Sequence, residues 1–162
     1  MIPTIRDESD GQAVSTAQQI ARAAVDFERQ TTGRVPKSVT VVLSGDTLVI
    51  TLHGALSPAE KALAMSLEGV AQVQEFHRQL FASASDSLRQ EIKQITGVEV
   101  REAAAEVETA TGTVVKVFAS GTVVQVFLLA RDVPADAWSE NEPIKINADR
   151  GFPHAEHPSR IT

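Results

Sequence analysis

The feature that most constrains the fold of this chain is one long stretch with helical periodicity. Ser57 suits the N-cap of a helix and Pro58 suits the first helical position. Glu60 completes a capping box with Ser57, and Gly97 is a typical C-terminal stop. Between these points apolar residues recur at helical spacing, namely Leu63, Leu67, Val70, Val73, Phe76, Leu80, Ala84, Leu88, Ile92 and Ile95.

The length of this pattern has two consequences. Gly69 lies inside it and lowers helix stability by about 1 kcal/mol relative to Ala, which predicts a break or close packing at that point. The part from Val70 to Thr96 is about 40 Å long at about 1.5 Å per residue, whereas a typical strand spans roughly 17–20 Å. One end therefore overhangs a four-stranded sheet. The overhanging apolar stripe predicts a homodimer with the interface candidates Phe76, Leu80, Phe81 and Leu88.

The segment before the long helix predicts a shorter helix followed by a β-hairpin. Gly33 is a plausible C-terminal stop for that helix, and Pro36 bars its continuation. Residues 39–43 and 48–52 alternate as strands do, and residues 44–47 have the composition of a turn. The apolar positions of the helix are Ala13, Ala17, Ile20, Ala21, Ala24 and Phe27.

The segment after the long helix predicts further strands. Residues 98–107 have a weaker strand pattern that three alanines interrupt. The motif in residues 113–118 is nearly repeated in residues 122–127, which is compatible with two strands or with one long strand and a bulge at Gly121. The order α-β-β-α-β-β predicts the α+β class: a two-layer sandwich in which the long helix packs on one face of an antiparallel sheet.

Composition excludes several classes of function. The chain has 162 residues with no Cys, no Tyr and one Trp, which excludes a thiol nucleophile or Cys-ligated zinc and disfavours base stacking. The net charge of -6 argues against non-specific binding to nucleic acid or anionic lipid. No segment approaches the roughly 20 apolar residues of a membrane span. We expect a cytoplasmic protein without direct membrane insertion.

Three regions are predicted along the chain. Residues 1–12 form an acidic N-terminal segment without the pattern of a secretory signal. Residues 13–130 form the α+β folded unit. Residues 131–162 contain several prolines and lack apolar periodicity, so we expect an extended or partly disordered arm. Trp138 and the isoleucines at positions 144 and 146 are the residues able to pin this arm to the domain or to a neighbouring subunit.

Motifs of catalysis are missing from the sequence. There is no nucleophile elbow and no phosphate-binding glycine loop. His154 and His157 lie in the arm, His53 is expected to be exposed at a strand end, and His77 is expected at the polar boundary of the long helix. We therefore predict no metal, no cofactor and no enzymatic activity. A deep pocket lined by buried Glu and His would instead favour an enzyme.

One set of residues is compatible with a small anion site. The helix start at Ser57 offers free backbone N–H groups and the positive end of a helix dipole. Lys61 follows on the first turn, and Arg34 lies in the preceding loop. The alternative interpretation is a capped helix with two surface cations.

These motifs, taken in order, resemble a family of small bacterial proteins, the MpsC-like family. The resemblance covers about Ala13 to Leu129 and rests on residues 33–36, 52–61, 68–69, Arg78 and 95–100. It differs at three positions of the family pattern. Val35 stands where the family usually has Gly, and Val70 and His77 replace two arginines of a basic cluster. Arg78 remains from that cluster as a candidate ligand.

The family is described as part of a Na+-translocating, membrane-potential-generating system. The resemblance implies no catalytic residues. It implies a non-enzymatic accessory or regulatory protein that acts as a homo-oligomer beside a membrane transporter subunit linked to ion or bicarbonate uptake. The alternative hypothesis is a sensor of a small anion or ligand at Arg34, Ser57 and Lys61.

Overall fold

The structure, a computed structural model, describes residues 14–101, 113–118, 120–140 and 144–145. The described part contains three α-helices, one 3-10 helix and five strands. The helices are α1 (Thr16–Thr32), α2 (Pro58–Leu63) and α3 (Leu67–Thr96), and the 3-10 helix is Ala135–Ala137. The strands are β1 (Ser38–Ser44), β2 (Thr47–His53), β3 (Thr113–Val117), β4 (Val123–Leu128) and β5 (Ile144–Lys145).

The described strands form one antiparallel sheet in the order β3-β4-β2-β1-β5. Strand alternation sends every second side chain to the face that α1 and α3 cover. Ile50 sits at the middle of this inner face, opposite Val41 on β1 and Gln125 on β4. The predicted α+β class is confirmed. The repeated motif forms two strands rather than one bulged strand.

Helix α1 forms where its caps and apolar spacing predict. Ser15 and Gln18 make a reciprocal capping box at its start. Gly33 ends it in the left-handed conformation with φ 75°, which glycine adopts without a steric penalty. The predicted stop is confirmed. Ala13, the first predicted apolar position, lies outside the described residues.

The predicted break near Gly69 is a corner between α2 and α3. Ser66 caps α3 by accepting a hydrogen bond from the Gly69 N–H at 3.0 Å. A Cβ atom on Gly69 would overlap the carbonyl oxygen of Leu63. Both expectations, a break and close packing, are therefore confirmed at one residue. The Ser57 capping box also forms, as predicted.

Helix α3 buries one stripe against α1 and the sheet. Its 30 residues make it about 45 Å long. Phe81 contacts Phe27 of α1 and Phe127 of β4, with ring centroids 5.5 Å and 5.8 Å apart. The buried positions of α3 are Gly69, Val73, His77, Phe81, Ser85, Leu88, Ile92 and Thr96. The prediction that His77 lies at the polar boundary is wrong. His77 is four residues from both Val73 and Phe81, and this spacing places it inside the buried stripe.

The remaining predicted segments are described in part. Of residues 98–107, Val100 makes an isolated bridge with Leu129, and the positions from 102 onward lie outside the described ranges. The predicted arm contacts the domain where it is described. The Ala17 N–H donates to the Ser139 carbonyl at 3.1 Å, Trp138 packs against the core, and β5 pairs with β1.

None of the helices in the described ranges combines the length and the apolar character that a membrane crossing requires.

Candidate functional site

A buried carboxyl group lies on the inner face of α1. Glu28 is only 3% exposed, and the Thr32 hydroxyl lies 3.4 Å from its Oε2. Burial raises the pKa of Glu28 from 4.5 to about 7, because a carboxylate loses its hydration there. The Thr32 hydrogen bond opposes this rise, and the negative charge of Glu60 adds to it. Glu28 therefore changes charge close to neutral pH.

A buried histidine and a second carboxylate face this region. His77 is 4% exposed, and its Nε2–H donates to Glu60 Oε1 at 2.9 Å. The other carboxylate oxygen of Glu60 accepts from the Ser57 N–H at 2.7 Å. Partial burial opposes the charge of Glu60, but its hydrogen bonds from Ser57 and His77 outweigh this effect and hold its pKa below the usual range. Glu60 thus joins the start of α2 to the middle of α3.

A small cavity joins Glu28 and His77 to the sheet. Gln125 of β4 also lines it, is 1% exposed, and has no hydrogen-bond partner for its Oε1 among the described residues. The cavity has a volume of about 10 Å³, which is room for about one water molecule. The rest of its lining is mostly apolar, with contributions from Phe27, Leu80, Phe81, Val115 and Val123. We call Glu28, Glu60, His77 and Gln125 the acid–histidine cluster.

The chemistry open to this cluster is the binding and release of a proton. A protonated Glu28 carboxyl is a hydrogen-bond donor, whereas its ionised form can only accept. A catalytic Glu–His pair needs a substrate within hydrogen-bond reach, and a cavity of about 10 Å³ does not admit one. The cluster has the buried Glu and His of a potential active site, but it lacks the deep pocket.

A larger groove runs between α1 and α3 on their outer side. Its volume is about 350 Å³, and Phe27 and Leu88 are among the apolar residues that line it. The charged side chains around it are Arg22, Asp26 and Glu91, so both signs are present. This mixture does not define a ligand class.

The residues of the predicted anion site have other roles or neighbours. The Glu60 carboxylate already lies at the start of α2, where an anion was expected. Lys61 is exposed, with its Cε 3.3 Å from the position a Cβ of Gly121 would take. Arg78 is exposed and pairs with Glu75 at 2.7 Å. Arg34 is half-buried, and its Nε has no hydrogen-bond partner in the described part of the chain.

The predicted interface residues on α3 divide into two groups. Phe81 and Leu88 are 4% and 1% exposed in the core of their own chain. Their expected role in a dimer interface is corrected, since their side chains are not available to a second copy. Phe76 is 51% exposed, and Leu80 is half-buried.

None of the predicted site residues is a member of the acid–histidine cluster. Ser57 is connected to it, because its N–H donates a hydrogen bond to the Glu60 carboxylate. The sequence did contain a sign of it. Glu28 follows Ile20 and Ala24 at intervals of four, His77 lies midway between Val73 and Phe81, and Gln125 lies between Val123 and Phe127. Polar residues on the apolar phase of a helix or strand indicate buried polar groups.

The described part of the chain has no group of three or more His, Asp or Glu residues placed to hold a metal ion. His154 and His157 lie outside the described residues.

Fold and site together define a class: a small α+β domain with a largely buried polar cluster under its two main helices. The family model "Na+-translocating membrane potential-generating system (MpsC)" matches residues 12–121, about two-thirds of the chain, from the start of α1 to the β3–β4 turn. The chain belongs to the MpsC family. It is also 29% identical over 104 residues to the uncharacterized protein YbcI of Bacillus subtilis (strain 168), covering 64% of this chain and 84% of that protein. No solved structure matches the chain significantly.

Proposed function

We propose that this chain is a non-enzymatic accessory or regulatory component of a Na+-translocating, membrane-potential-generating system, and that it acts on the cytoplasmic side as a homo-oligomer. The observation that carries the proposal is the family match over residues 12–121, which includes α1, α2, α3 and three of the four residues of the acid–histidine cluster, Glu28, Glu60 and His77. An accessory role requires contact with a membrane subunit rather than a membrane span of its own.

The chemistry of the cluster supports a regulatory role over a catalytic one. Its cavity excludes a substrate larger than water, and Glu28 has a pKa of about 7. A group that titrates near neutral pH changes the charge of the domain interior within the physiological range. The response open to such a site is a change in stability or helix packing, which a partner protein can sense.

The proposal is tested in the cells that produce this chain. Deleting its gene should lower the membrane potential that a voltage-sensitive dye reports under sodium-dependent conditions, and the wild-type gene should restore it. The tagged chain should co-purify with subunits of the sodium-translocating system from gently solubilised membranes. A conservative surface variant, Ser83→Ala, serves as the complementation control. An unchanged potential together with no co-purification refutes the accessory role.

A second candidate function is a sensor of a small anion at Arg34. The observation that favours it is the enclosed Arg34 Nε, a guanidinium donor without a protein acceptor in the described part of the chain. Titration calorimetry with bicarbonate and phosphate should then show binding that Arg34→Ala abolishes and Lys61→Ala weakens. Absence of heat with both anions refutes this candidate.

A further inference from the structure

The outer face of the sheet mixes apolar and polar side chains, but a continuous apolar row crosses its centre. A row of four valines crosses four strands in register: Val114 pairs with Val126, Val126 with Val49, and Val49 with Val42. We call this the valine row. The neighbouring rows are also largely uncharged, and they are Lys116–Val124–Thr51–Thr40 and Leu128–Thr47–Ser44, with the pairs Phe118–Thr122 and His53–Ser38 at the far end of the strands.

The described part of the chain leaves this face open. Every outer-face residue of these rows is half-buried or exposed, and Val42 and Phe118 are 50% and 51% exposed. An antiparallel sheet with one wet face normally places polar side chains on that face. Here β4 has apolar residues on both faces, with Val123 and Phe127 on the inner face and Val124, Val126 and Leu128 on the outer face. Such strands are typical of a sheet covered on both sides.

We propose that the outer faces of two copies of this chain pack on each other, so that the valine rows form the centre of a homodimer with helix, sheet, sheet and helix layers. This inference deepens the homo-oligomer of the proposed function and rests on it. Two sheets pack face to face about 10 Å apart when their side chains interdigitate. β-branched side chains suit such a flat surface.

Charge favours a second copy as the occupant of this face. On strands β1 to β4 the ionisable residues of this face are Lys116, which is exposed on the edge strand β3, and His53 at the end of β2. Two copies can therefore meet across the valine row without burying a carboxylate, although the chain carries a net charge of -6. Residues 102–112 contain three glutamates and no basic residue. Covering the valines with that segment would bring carboxylates to an apolar surface.

The area of the face predicts a weak dimer. Four strands about 4.8 Å apart and about six residues long give a flat area of roughly 400 Å² per copy. Side-chain relief increases the area that contact removes from water, which brings the total for two copies near the lower limit of about 1,000 Å² for specific interfaces. We therefore expect a reversible dimer with a Kd of about 1–100 µM.

Sedimentation equilibrium over about 1–200 µM measures this dimer in the full chain. Val49→Lys should weaken it about a hundredfold, because a lysine in the centre of the interface loses its hydration. Phe76→Lys is the matched control on the exposed side of α3 and should leave the Kd unchanged. Circular dichroism melting checks that both variants fold.

A crosslinking experiment keeps the test decisive if Val49→Lys fails to fold. The chain has no cysteine, so Thr51→Cys introduces one unique thiol on the outer face. A short bismaleimide should join two Thr51→Cys chains, and it should not join chains carrying Ser83→Cys on the exposed side of α3.

The outcomes separate the interface from the function. If a dimer forms and only Phe76→Lys dissociates it, the outer-face interface is overturned while the homo-oligomer stands. If the full chain stays monomeric at about 200 µM and Thr51→Cys does not crosslink, the interface and the homo-oligomer both fail. The accessory role is then still judged by membrane potential and co-purification.

Discussion

Replacing Glu28 with Gln should make the protein more stable at alkaline pH and leave it nearly unchanged at acid pH. The pKa of Glu28 is about 7 in the folded chain, against 4.5 without burial. The folded state therefore holds the proton more tightly than the unfolded state, and stability falls as pH rises from about 4.5 to 7. The difference between these pKa values, at about 1.4 kcal/mol per pH unit, corresponds to about 3 kcal/mol.

The assay is urea unfolding of wild type and Glu28→Gln at a series of pH values from 4 to 9. Gln cannot ionise, so the two unfolding free energies should coincide near pH 4 and differ by about 3 kcal/mol at pH 8, with Gln the more stable. In a chain of this size the same difference corresponds to a melting temperature about 6–12 °C higher. Glu99→Gln is the control, because Glu99 is exposed and paired with Lys93.

For the control variant Glu99→Gln we do not expect a gain in stability at alkaline pH. The hydrogen bond and the charge of Lys93 hold the pKa of Glu99 below its usual range, so removing that carboxylate gives no gain at alkaline pH. The reasoning is refuted if wild type and Glu28→Gln keep the same difference in unfolding free energy at every pH. It is also refuted if Glu99→Gln reproduces the effect of Glu28→Gln.

Two further predictions concern the ends of the helices. Gly69→Ala should destabilise the protein by about 1–3 kcal/mol in urea unfolding, since the new Cβ would overlap the Leu63 carbonyl and force the corner open. Helix propensity alone predicts that the variant is more stable by about 1 kcal/mol. A stabilised variant would therefore contradict the close approach of Gly69 to Leu63. Ser57→Ala should lower the free energy of unfolding by about 1 kcal/mol, because the N-cap hydrogen bond of α2 is removed. In that variant the Glu60 pKa should rise toward its usual value in carboxyl NMR titrations, and an unmoved Glu60 resonance counts against the capping box as its anchor.

The fold was largely predictable because the capping and turn residues and the apolar periodicity indicate the same helices and strands. The caps at Ser57, Gly33 and Gly97 lie at real helix ends. The hairpin of β1 and β2 follows from the alternation of its strands and from the turn composition of residues 44–47. The role of Gly69 was ambiguous in the sequence, because glycine is favoured both where a helix breaks and where two backbones pack closely. The structure shows that the tight corner needs both.

The candidate site was not predicted, because the sequence does not show which face of α1 meets which face of α3. Glu28 and His77 are 49 positions apart, and each looks like an ordinary polar residue of an amphipathic helix. Their burial can be inferred only when the residues four positions away on the same helix are recognised as core residues. Two of the four predicted interface residues on α3, Phe81 and Leu88, were mispredicted for the same reason, since they serve the core of their own chain.

The two acids of the cluster respond to pH in opposite directions, and this sets the pH at which the pair contributes most to stability. The hydrogen bonds of Glu60 stabilise the fold above the usual pKa of 4.5 and are lost as pH falls below it. Ionisation of buried Glu28 destabilises the fold progressively from about 4.5 to 7. Stability contributed by the pair is therefore greatest near pH 4.5, where Glu60 is ionised and Glu28 is still protonated. At neutral pH Glu28 is near half-protonation, so small changes in proton concentration alter the charge between α1, α3 and the sheet.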